Sequence, residues 1–469
     1  MKLINRVQKY SVKHLSSGAS RIYINNSFYL RLIGFVAGVR YSLKETTSGF
    51  ILKFDENGTN CVMSSGRGEL VELKNKTVAK KFESCNSVRV VFSKDGISIT
   101  SSVTDSAIRR RNESLKFKVN NNLPLKLGSL FSGLGLLSKC IKDGLFSSGV
   151  LTEMEFANDN DELVLNCNIQ GNPIWKDASK SAVATGEDIQ DLVTQNLPEV
   201  DVLEVGLVCK NQSKLCPSHM RDLNHSVVGT LFMSLLSVIR KMNPAVLLIE
   251  NAQPFLTSQT FDLLSRELIK DYTLSTTVLE GYAFGDYEER KRGCIVAVSK
   301  GLPELSLSSF ASPISVDHKP LSEILEPIDA DSVLWKKMGH VKKKLLDPKL
   351  NFKNVLHYPN DTKIKALSAT YASPKIGSPM VGHPNDSDLQ RHFTWLEHSR
   401  IRRVPESLER VLETVANGTH CMSRTKSNVG AVHRMCGNSV SPLPWTALGE
   451  FIGNFLKKSL CFNRELLTA

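Results

Sequence analysis

The sequence has no long hydrophobic run and no leader-like segment. Apolar stretches such as Ala245–Ile249 are five residues long, whereas a membrane-spanning helix needs about 20. Residues 1–6 are not followed by an apolar segment of the kind that secretory signals carry. We therefore expect a soluble, cytoplasmic protein.

Paired cysteines are also absent. The chain has 10 cysteines, all isolated and none in a CxxC pair, so neither a zinc ribbon nor a dithiol redox site is expected. We expect reduced thiols, most of them buried like small hydrophobic residues. A single cysteine remains available as a nucleophile.

The positive charge is concentrated near the N-terminus. Residues 1–120 contain 21 Lys and Arg against 9 Asp and Glu, and the remaining residues are neutral with 38 of each. With 469 residues and 41% hydrophobic content, the chain is expected to form two or three globular domains. The basic segment predicts a module that binds a polyanion, with DNA as the candidate. The alternatives are solubility and docking on the rest of the chain.

The same segment is predicted to be rich in β-structure. Short β-branched runs bounded by turn residues occur at Arg21–Ile24, Gly49–Phe54, Val88–Phe92 and Ile97–Thr100. Arg109–Arg111 is interpreted as an exposed linker, or else as a strip that contacts phosphates.

From residue 125 the pattern predicts parallel strands joined by helices. The strand Leu125–Leu130 leads into the glycine turn Phe131–Gly135, which lets a ligand approach a helix N-terminus. A second strand is predicted at Leu151–Glu155. Its terminal Glu155 stands where such folds bind a ribose diol, and Asp188 follows a third strand, where it could accept from an adenine amino group. We therefore expect an adenosine-containing cofactor.

Two further strands end near chemically active side chains. Val202–Gly206 leads into Cys209, and the strand predicted at Val246–Asn251 carries Glu250 at its carboxyl end. Because ligands bind at the carboxyl ends of parallel strands, we expect Cys209 and Glu250 to share a site.

This ordered set resembles the cytosine-5 DNA methyltransferase family over about residues 123–300 and 400–455. The matching segments are Phe131-Ser132-Gly133-Leu134-Gly135 (FxGxGG), Glu155 and Asp188, Cys209 (PCQ), Gly229-Thr230-Leu231-Phe232 (GxLF), Glu250-Asn251-Ala252 (ENV), Glu288-x-Arg290-x-Arg292 (QxRxR) and Gly437-Asn438-Ser439-Val440-x-Pro442 (GNxVxP).

The resemblance implies an α/β fold. It predicts a Rossmann-like domain dependent on S-adenosylmethionine at 121–300, a smaller target-recognition domain at 301–399, and a segment at 400–469 that returns to the catalytic domain. The β-rich N-terminal domain at 1–120 would precede them.

The implied activity is transfer of a methyl group to carbon 5 of a cytosine flipped out of duplex DNA. Cys209 would form a covalent adduct, assisted by Glu250, Arg290 and Arg292, and no metal ion is needed. The residues expected to bind the cofactor are Phe131, Gly133, Leu134, Gly135, Glu155, Phe156, Asp188, Ile189, Asn438 and Val440. Double-stranded DNA is the expected partner, with a cognate restriction system as a further candidate, and we expect a monomer or dimer associated with the nucleoid in a prokaryote, phage or mobile element.

Several positions depart from the family pattern. The third loop glycine is Leu136, and the residues flanking the cysteine are Val208 and Lys210. The glutamine of QxRxR is Glu288, and Val228 replaces an arginine before GxLF. Three alternatives therefore remain: a degenerate DNA-binding or regulatory protein, an RNA methyltransferase, and an enzyme with a modified sulfonium donor. Cys216 is a rival nucleophile.

The DNA contacts are expected from two regions. The loop at 210–226 could close over the flipped base. The recognition region offers lysines for phosphates and aromatic side chains for base edges, and the candidates are Lys336, Lys337, Lys342, Lys343, Lys344, Tyr358, His392 and Trp395.

Overall fold

The structure is a computed structural model that forms two compact units, Met1–Arg110 and Arg111–Ala469. It describes residues 5–83, 85–209, 212, 218–226, 229–350, 354–373 and 377–460, apart from the side chains of 340, 342 and 350. No helix in these ranges is long and apolar enough to cross a membrane.

The first unit is one antiparallel sheet of nine strands with two short helices. The strand order is β5-β3-β4-β9-β8-β1-β2-β7-β6. Its elements are β1 Arg6–His14, β2 Ser20–Ile24, α1 Ser27–Leu32, β3 Arg40–Thr46, β4 Gly49–Phe54, β5 Asn60–Cys61, β6 Met63–Ser65, β7 Gly68–Asn75, α2 Lys76–Lys81, β8 Ser87–Ser93 and β9 Gly96–Ser101.

The four strands predicted in this unit are confirmed as β2, β4, β8 and β9. Their alternating side chains point to a buried core on one face, where Ile22, Phe50, Val90 and Ile99 are at most 2% exposed. The β-rich character of the N-terminal segment is therefore confirmed.

The expected linker at Arg109–Arg111 is wrong, because these residues lie inside helix α3, Val103–Asn120. The boundary between the two units falls within this helix. The first unit ends at Arg110, ten residues before the predicted end of the N-terminal domain at residue 120. Arg111 is buried, and its guanidinium donates to Ser299 Oγ (2.7 Å), Tyr272 Oη (2.8 Å) and the Asp271 carbonyl (2.7 Å). It anchors residues 111–120 of α3 within the second unit.

The second unit is built on a seven-stranded sheet of order β12-β11-β10-β13-β14-β16-β15. The five strands from β12 to β14 in this order are parallel, and β16 runs antiparallel to both of its neighbours, β14 and β15. The predicted α/β Rossmann-like fold is confirmed. The elements are β10 Leu125–Leu130, α4 Leu136–Ser147, β11 Thr152–Asn158, α5 Glu162–Gly171, β12 Ala178–Thr185, α6 Ile189–Leu192, β13 Val202–Gly206, α7 Leu231–Met242, β14 Val246–Ala252, α8 Gln259–Leu268, β15 Tyr272–Glu280 and β16 Lys291–Ser299.

The remainder of this unit covers the sheet and adds a small second sheet. Four short strands pair in the order β17-β20-β19-β18 within the expected recognition region. The elements are β17 Lys336–Lys337, α9 Gly339–Leu345, β18 Leu356–His357, β19 Met380–Gly382, β20 Leu389–Arg391, α10 Trp395–Ile401, α11 Glu406–Ala416, α12 Val429–Asn438 and α13 Pro442–Leu460.

The C-terminal helix packs directly on the first helix of the sheet. A Cβ at Gly144 of α4 would lie 2.1 Å from the Thr446 carbonyl oxygen of α13, so the two backbones approach more closely than any side chain permits. Cys140 and Trp445 are buried in the same core. The chain beyond the recognition region therefore returns to the Rossmann-like sheet.

The sheet order contains a topological switch point at β10. Strand β10 pairs with β11 on one side and β13 on the other, so successive connections leave β10 in opposite directions. Ligands of open α/β sheets occupy the crevice at such a switch point. The loop after β10 and the loop after β13 both open into it.

Candidate active site

The loop after β10 is a tight turn that exposes backbone. Phe131, Gly133 and Gly135 have positive φ angles of 53°, 53° and 70°, and Gly135 caps the N-terminus of α4. A Cβ at Gly133 would meet no atom within 4 Å, so a ligand can approach the loop there. Leu136, which replaces the third glycine, begins α4 and is only 3% exposed in the core.

An acidic residue stands opposite this loop at the end of β11, but it is not Glu155. The prediction that the strand ends at Glu155 is wrong, because β11 continues to Asn158. Asp159 follows the strand, and one of its carboxylate oxygens accepts the N–H of Gly133 at 2.8 Å. Burial raises the pKa of Asp159. In the sequence, Asp159 could have been recognised as a candidate because it directly follows the strand and lies two residues before Asp161, which caps the next helix.

Glu155 and Phe156 instead belong to the body of the sheet. Glu155 is 2% exposed, and it accepts from Lys126 Nζ at 2.8 Å and from Ser181 Oγ at 3.0 Å. Hydrogen bonds from Lys126 and two serines lower its pKa against the opposing effect of desolvation. Phe156 is 2% exposed in the core beside Leu130. Neither side chain lies at the carboxyl end of the strand.

Asp188 lies where the sequence places it, just beyond the end of β12. It caps the short helix α6 by accepting the N–H of Gln190 at 3.0 Å, and its side chain is half-buried. Ile189 beside it is 2% exposed. Loop glycines, Asp159 and Asp188 thus follow three adjacent strands.

The segment that carries Cys209 is fixed against β14. Gly206 pairs with Glu250 in the sheet, the N–H of Leu207 donates to the Glu250 carbonyl at 3.1 Å, and Asn251 Nδ2 donates to the Leu207 carbonyl at 3.3 Å. Asn251 is 1% exposed, so it orients the chain leading to the cysteine. Cys209 itself is half-buried and has no disulfide partner among the described cysteines.

Glu250 and Arg292 form an ion pair beside this segment. Arg292 Nε lies 2.7 Å from Glu250 Oε1, and the side chains are 15% and 9% exposed. Desolvation raises the pKa of Glu250, and Arg292 and Arg290 oppose this shift. A buried acid next to a fixed guanidinium can donate a proton or a hydrogen bond to a bound heterocycle.

Arg290 connects the catalytic candidates. Its guanidinium is 5% exposed and donates to the carbonyl oxygens of Gly437 (2.7 Å) and Leu367 (3.3 Å). Burial and the charge of Arg292 lower its pKa to about 9, while Glu250 and Cys209 raise it. Arg290 therefore lies within electrostatic range of both the acid and the thiol. Gly437 belongs to the GNxVxP segment, in which Asn438 is exposed and Val440 is 4% exposed.

Glu288 is accommodated by a buried partner. Its carboxylate forms an ion pair with Arg402 and accepts the Leu367 N–H at 2.7 Å. Arg402 also donates to the carbonyl oxygens of Cys436 (2.9 Å) and Leu367 (3.1 Å). The departure from glutamine at this position is thus matched by an arginine, and the pair fixes the carbonyl that Arg290 also binds.

Part of the loop expected to close over the base lies outside the described residues, including Lys210, Cys216 and the nearby Val228. Asp222, within the described part, accepts from the backbone N–H of Gln259 (2.6 Å) and Thr260 (3.1 Å) and from Gln212 Nε2 (3.1 Å). These bonds fix that segment to the start of α8.

The aromatic candidates of the recognition region differ in exposure. Tyr358 is 42% exposed and available to a ligand. His392 lies edge-on to Tyr371 with ring centroids 5.2 Å apart, and Trp395 packs against the main core. The two latter side chains therefore support the fold. Within the part of the chain that the structure describes, no ion pair is formed by four of the lysine candidates, Lys336, Lys337, Lys343 and Lys344. The side chain of Lys342 is not among those described.

The model of the C-5 cytosine-specific DNA methylase family matches residues 125–454. The chain belongs to this family. The matched span covers the seven-stranded sheet, the catalytic candidates and most of α13, and it leaves the first unit outside the methylase match.

Known proteins resemble the methylase region at low identity. The type II methyltransferase M.NgoBI of Neisseria gonorrhoeae is 26% identical over 181 residues, which are 36% of this chain and 54% of that protein. The chain thus spans about half the length of this curated relative.

Among solved structures, the S. pombe Dnmt2 methyltransferase is 18% identical with a TM-score of 0.51, covering 74% of this chain and all of that one. The Entamoeba histolytica methyltransferase EhMeth is 17% identical with a TM-score of 0.49, covering 71% and 99%. The first likeness shows the methyltransferase fold.

Proposed function

We propose that this methylase transfers a methyl group to carbon 5 of a cytosine in duplex DNA through a covalent adduct with Cys209. The observation that carries the proposal is the Glu250–Arg292 ion pair at 2.7 Å, beside the segment leading to Cys209, where the Leu207 N–H donates to the Glu250 carbonyl at 3.1 Å. A nucleophile, an acid and a fixed cation at one strand edge are what addition to a pyrimidine ring needs.

The crevice at the switch point fits an adenosine-containing cofactor. Gly133 is open to a ligand, Asp159 would accept from the ribose hydroxyls, and Asp188 from the adenine amino group. Asp159 takes the role that Glu155 was expected to have, while Phe131, Leu134, Gly135, Ile189, Asn438 and Val440 remain proposed contacts. S-adenosylmethionine, when bound, supplies the methyl group.

The chain's own residues activate the base. The Cys209 thiolate forms a bond to carbon 6, and the electron pair displaced from the ring is taken up as N3 receives a proton from Glu250. Arg292 donates to the base carbonyl oxygen. After carbon 5 is methylated, it loses a proton to water, N3 returns its proton to Glu250, and the sulfur leaves carbon 6 as thiolate.

Duplex DNA is the substrate that the family and the charge favour. Carbon 6 of a paired base is out of reach of a protein thiol, so the cytosine has to be flipped out at a cost of a few kcal/mol. Exposed Tyr358 and the lysines of the recognition region can contact the displaced strand. We infer a cytoplasmic setting, and a partner restriction enzyme is a further proposal based on the type II relative.

The test is transfer of labelled methyl groups to mixed-sequence duplex DNA and to RNA, followed by mass spectrometry of the nucleosides. We expect 5-methylcytosine from DNA, and Cys209→Ser should lose activity by about 10³-fold or more. Equal activity in the two proteins would contradict the mechanism. Methylation of RNA alone would reassign the substrate to RNA. Binding of DNA without any methylation would indicate a regulatory protein.

A further inference from the structure

The outer face of the N-terminal sheet carries rows of positive side chains. Because neighbouring strands pair in a fixed register, Lys13 lies opposite Arg21, and Arg21 lies opposite Lys74. On the other side of β1, Lys9 lies opposite Arg89. We call these five side chains the basic sheet face. They alternate with buried core residues such as Val12, Ile22 and Val90.

The register places like charges next to each other. Directly opposed side chains in an antiparallel pair have Cβ atoms about 5 Å apart, and like charges at that spacing destabilise the sheet. Three of the cross-strand pairs on this face, Lys13–Arg21, Arg21–Lys74 and Lys9–Arg89, are of this kind. The fold therefore contains a local electrostatic repulsion that an external polyanion would relieve.

Little acidic charge within the unit offsets this repulsion. Arg21 lies 3.7 Å from Glu72 Oε1, and no described carboxylate forms an ion pair with Lys9, Lys13, Lys74 or Arg89, all of which are exposed.

An exposed aromatic ring lies within the same face. Tyr23 is 39% exposed, and the Arg21 guanidinium lies over its ring at 5.4 Å from the centroid. A tyrosine among cations is a common feature of surfaces that contact nucleic acids, since its ring packs against sugar or base while the cations bind phosphates.

We propose that the basic sheet face binds the phosphate backbone of duplex DNA, as a second DNA contact separate from the active site. The choice of duplex DNA rather than another polyanion rests on the proposed function. Spacing supports it, because the face extends about 13 Å along β1 and about 14 Å across four adjacent strands, which covers several phosphates of a duplex.

The experiment measures binding of the full chain to a duplex made only of A·T pairs, which holds no cytosine for the active site. Fluorescence anisotropy over a salt series gives the slope of log Kd against log salt concentration. The variant K9Q/K13Q/K74Q should reduce that slope by about 2 to 3, because each phosphate contact contributes about 0.9. Its melting temperature should be unchanged or higher, since the opposed like charges are gone.

The matched control is K76Q/K80Q/K94Q, which removes the same charge from exposed lysines on α2 and in the β8–β9 turn. The control should keep the wild-type slope. Equal slopes in the two triple variants would overturn the proposal, as would a lowered melting temperature of the face variant. If the face variant bound single-stranded poly(U) more weakly than the wild type but bound the duplex equally well, the assignment to duplex DNA would be overturned.

Failure of the proposed function gives a different pattern. Cys209→Ser should bind the A·T duplex as the wild type does, and the face variant should raise KM for cytosine-containing duplex without changing kcat. A chain that fails to methylate but shows the predicted change in salt slope would support the basic sheet face and contradict only the proposed catalysis.

Discussion

Replacing Glu250 with glutamine separates proton transfer from binding in the proposed site. Glu250 is 7% exposed, and its carboxylate lies 2.7 Å from Arg292 Nε. Glutamine keeps an oxygen that accepts this hydrogen bond, but it cannot give a proton to N3. Positioned general acids contribute about 10² to 10⁴ in rate, so Glu250→Gln should lower kcat by this factor with a small change in KM.

The same variant changes the pH dependence. Burial raises the pKa of Glu250, so the protonated form is present at low pH and is lost as pH rises through that pKa. The wild-type rate of methyl transfer should therefore fall on the alkaline side of that pKa, and the variant should lack this decline.

The assay is steady-state methyl transfer to duplex DNA across pH, with urea unfolding as the control for stability. Loss of the negative partner leaves Arg292 with a weaker hydrogen bond, and we expect a destabilisation of about 1 to 3 kcal/mol. A kcat within a few fold of the wild type, or a retained alkaline decline, would refute the role of Glu250 as the acid.

Three further changes test other parts of the structure. Arg111→Met should destabilise the protein by about 3 kcal/mol in urea unfolding, because several buried acceptors lose a charged donor. Asp159→Asn should weaken S-adenosylmethionine binding about 10- to 100-fold by calorimetry, and Glu155→Gln should weaken it far less. Burial lowers the pKa of His433 from 6.5 to about 4. Between pH 4 and pH 6.5, the unfolded chain therefore binds a proton at this residue and the folded chain does not. The contribution of His433 to stability is complete above pH 6.5 and should be lost as pH falls towards 4, by at most about 1.4 kcal/mol per pH unit. His433→Gln should remove this contribution.

Local patterns in the sequence predicted the parts of the fold that depend on short-range information. The loop glycines take positive φ angles because the turn into α4 requires them, and that requirement is visible in a few residues. Strand β14 is a continuous buried run that carries Glu250 two residues before its end at Ala252, and Cys209 follows β13. These segments share one sheet edge because parallel strands all end on the same side.

The sequence predictions fail where the partner of a charged residue lies far away along the chain. Glu155 was predicted to end its strand and face a ribose diol, yet β11 continues past it and Lys126 on the adjacent strand compensates its charge. Arg111 was assigned to a linker, although its acceptors lie far along the chain in the second unit. Glu288 departs from the family pattern, and its charge is compensated by Arg402 from far along the chain. None of these partners can be identified from the local sequence.

The most direct test of the central claim is trapping of the covalent adduct. Duplex DNA in which 5-fluorocytosine replaces cytosine is incubated with the protein and S-adenosylmethionine, and the digested complex is analysed by mass spectrometry. Fluorine cannot leave carbon 5 as a proton does, so the thioether at carbon 6 should persist on the peptide that contains Cys209. Absence of any adduct, or an adduct on Cys216 instead, would contradict the account.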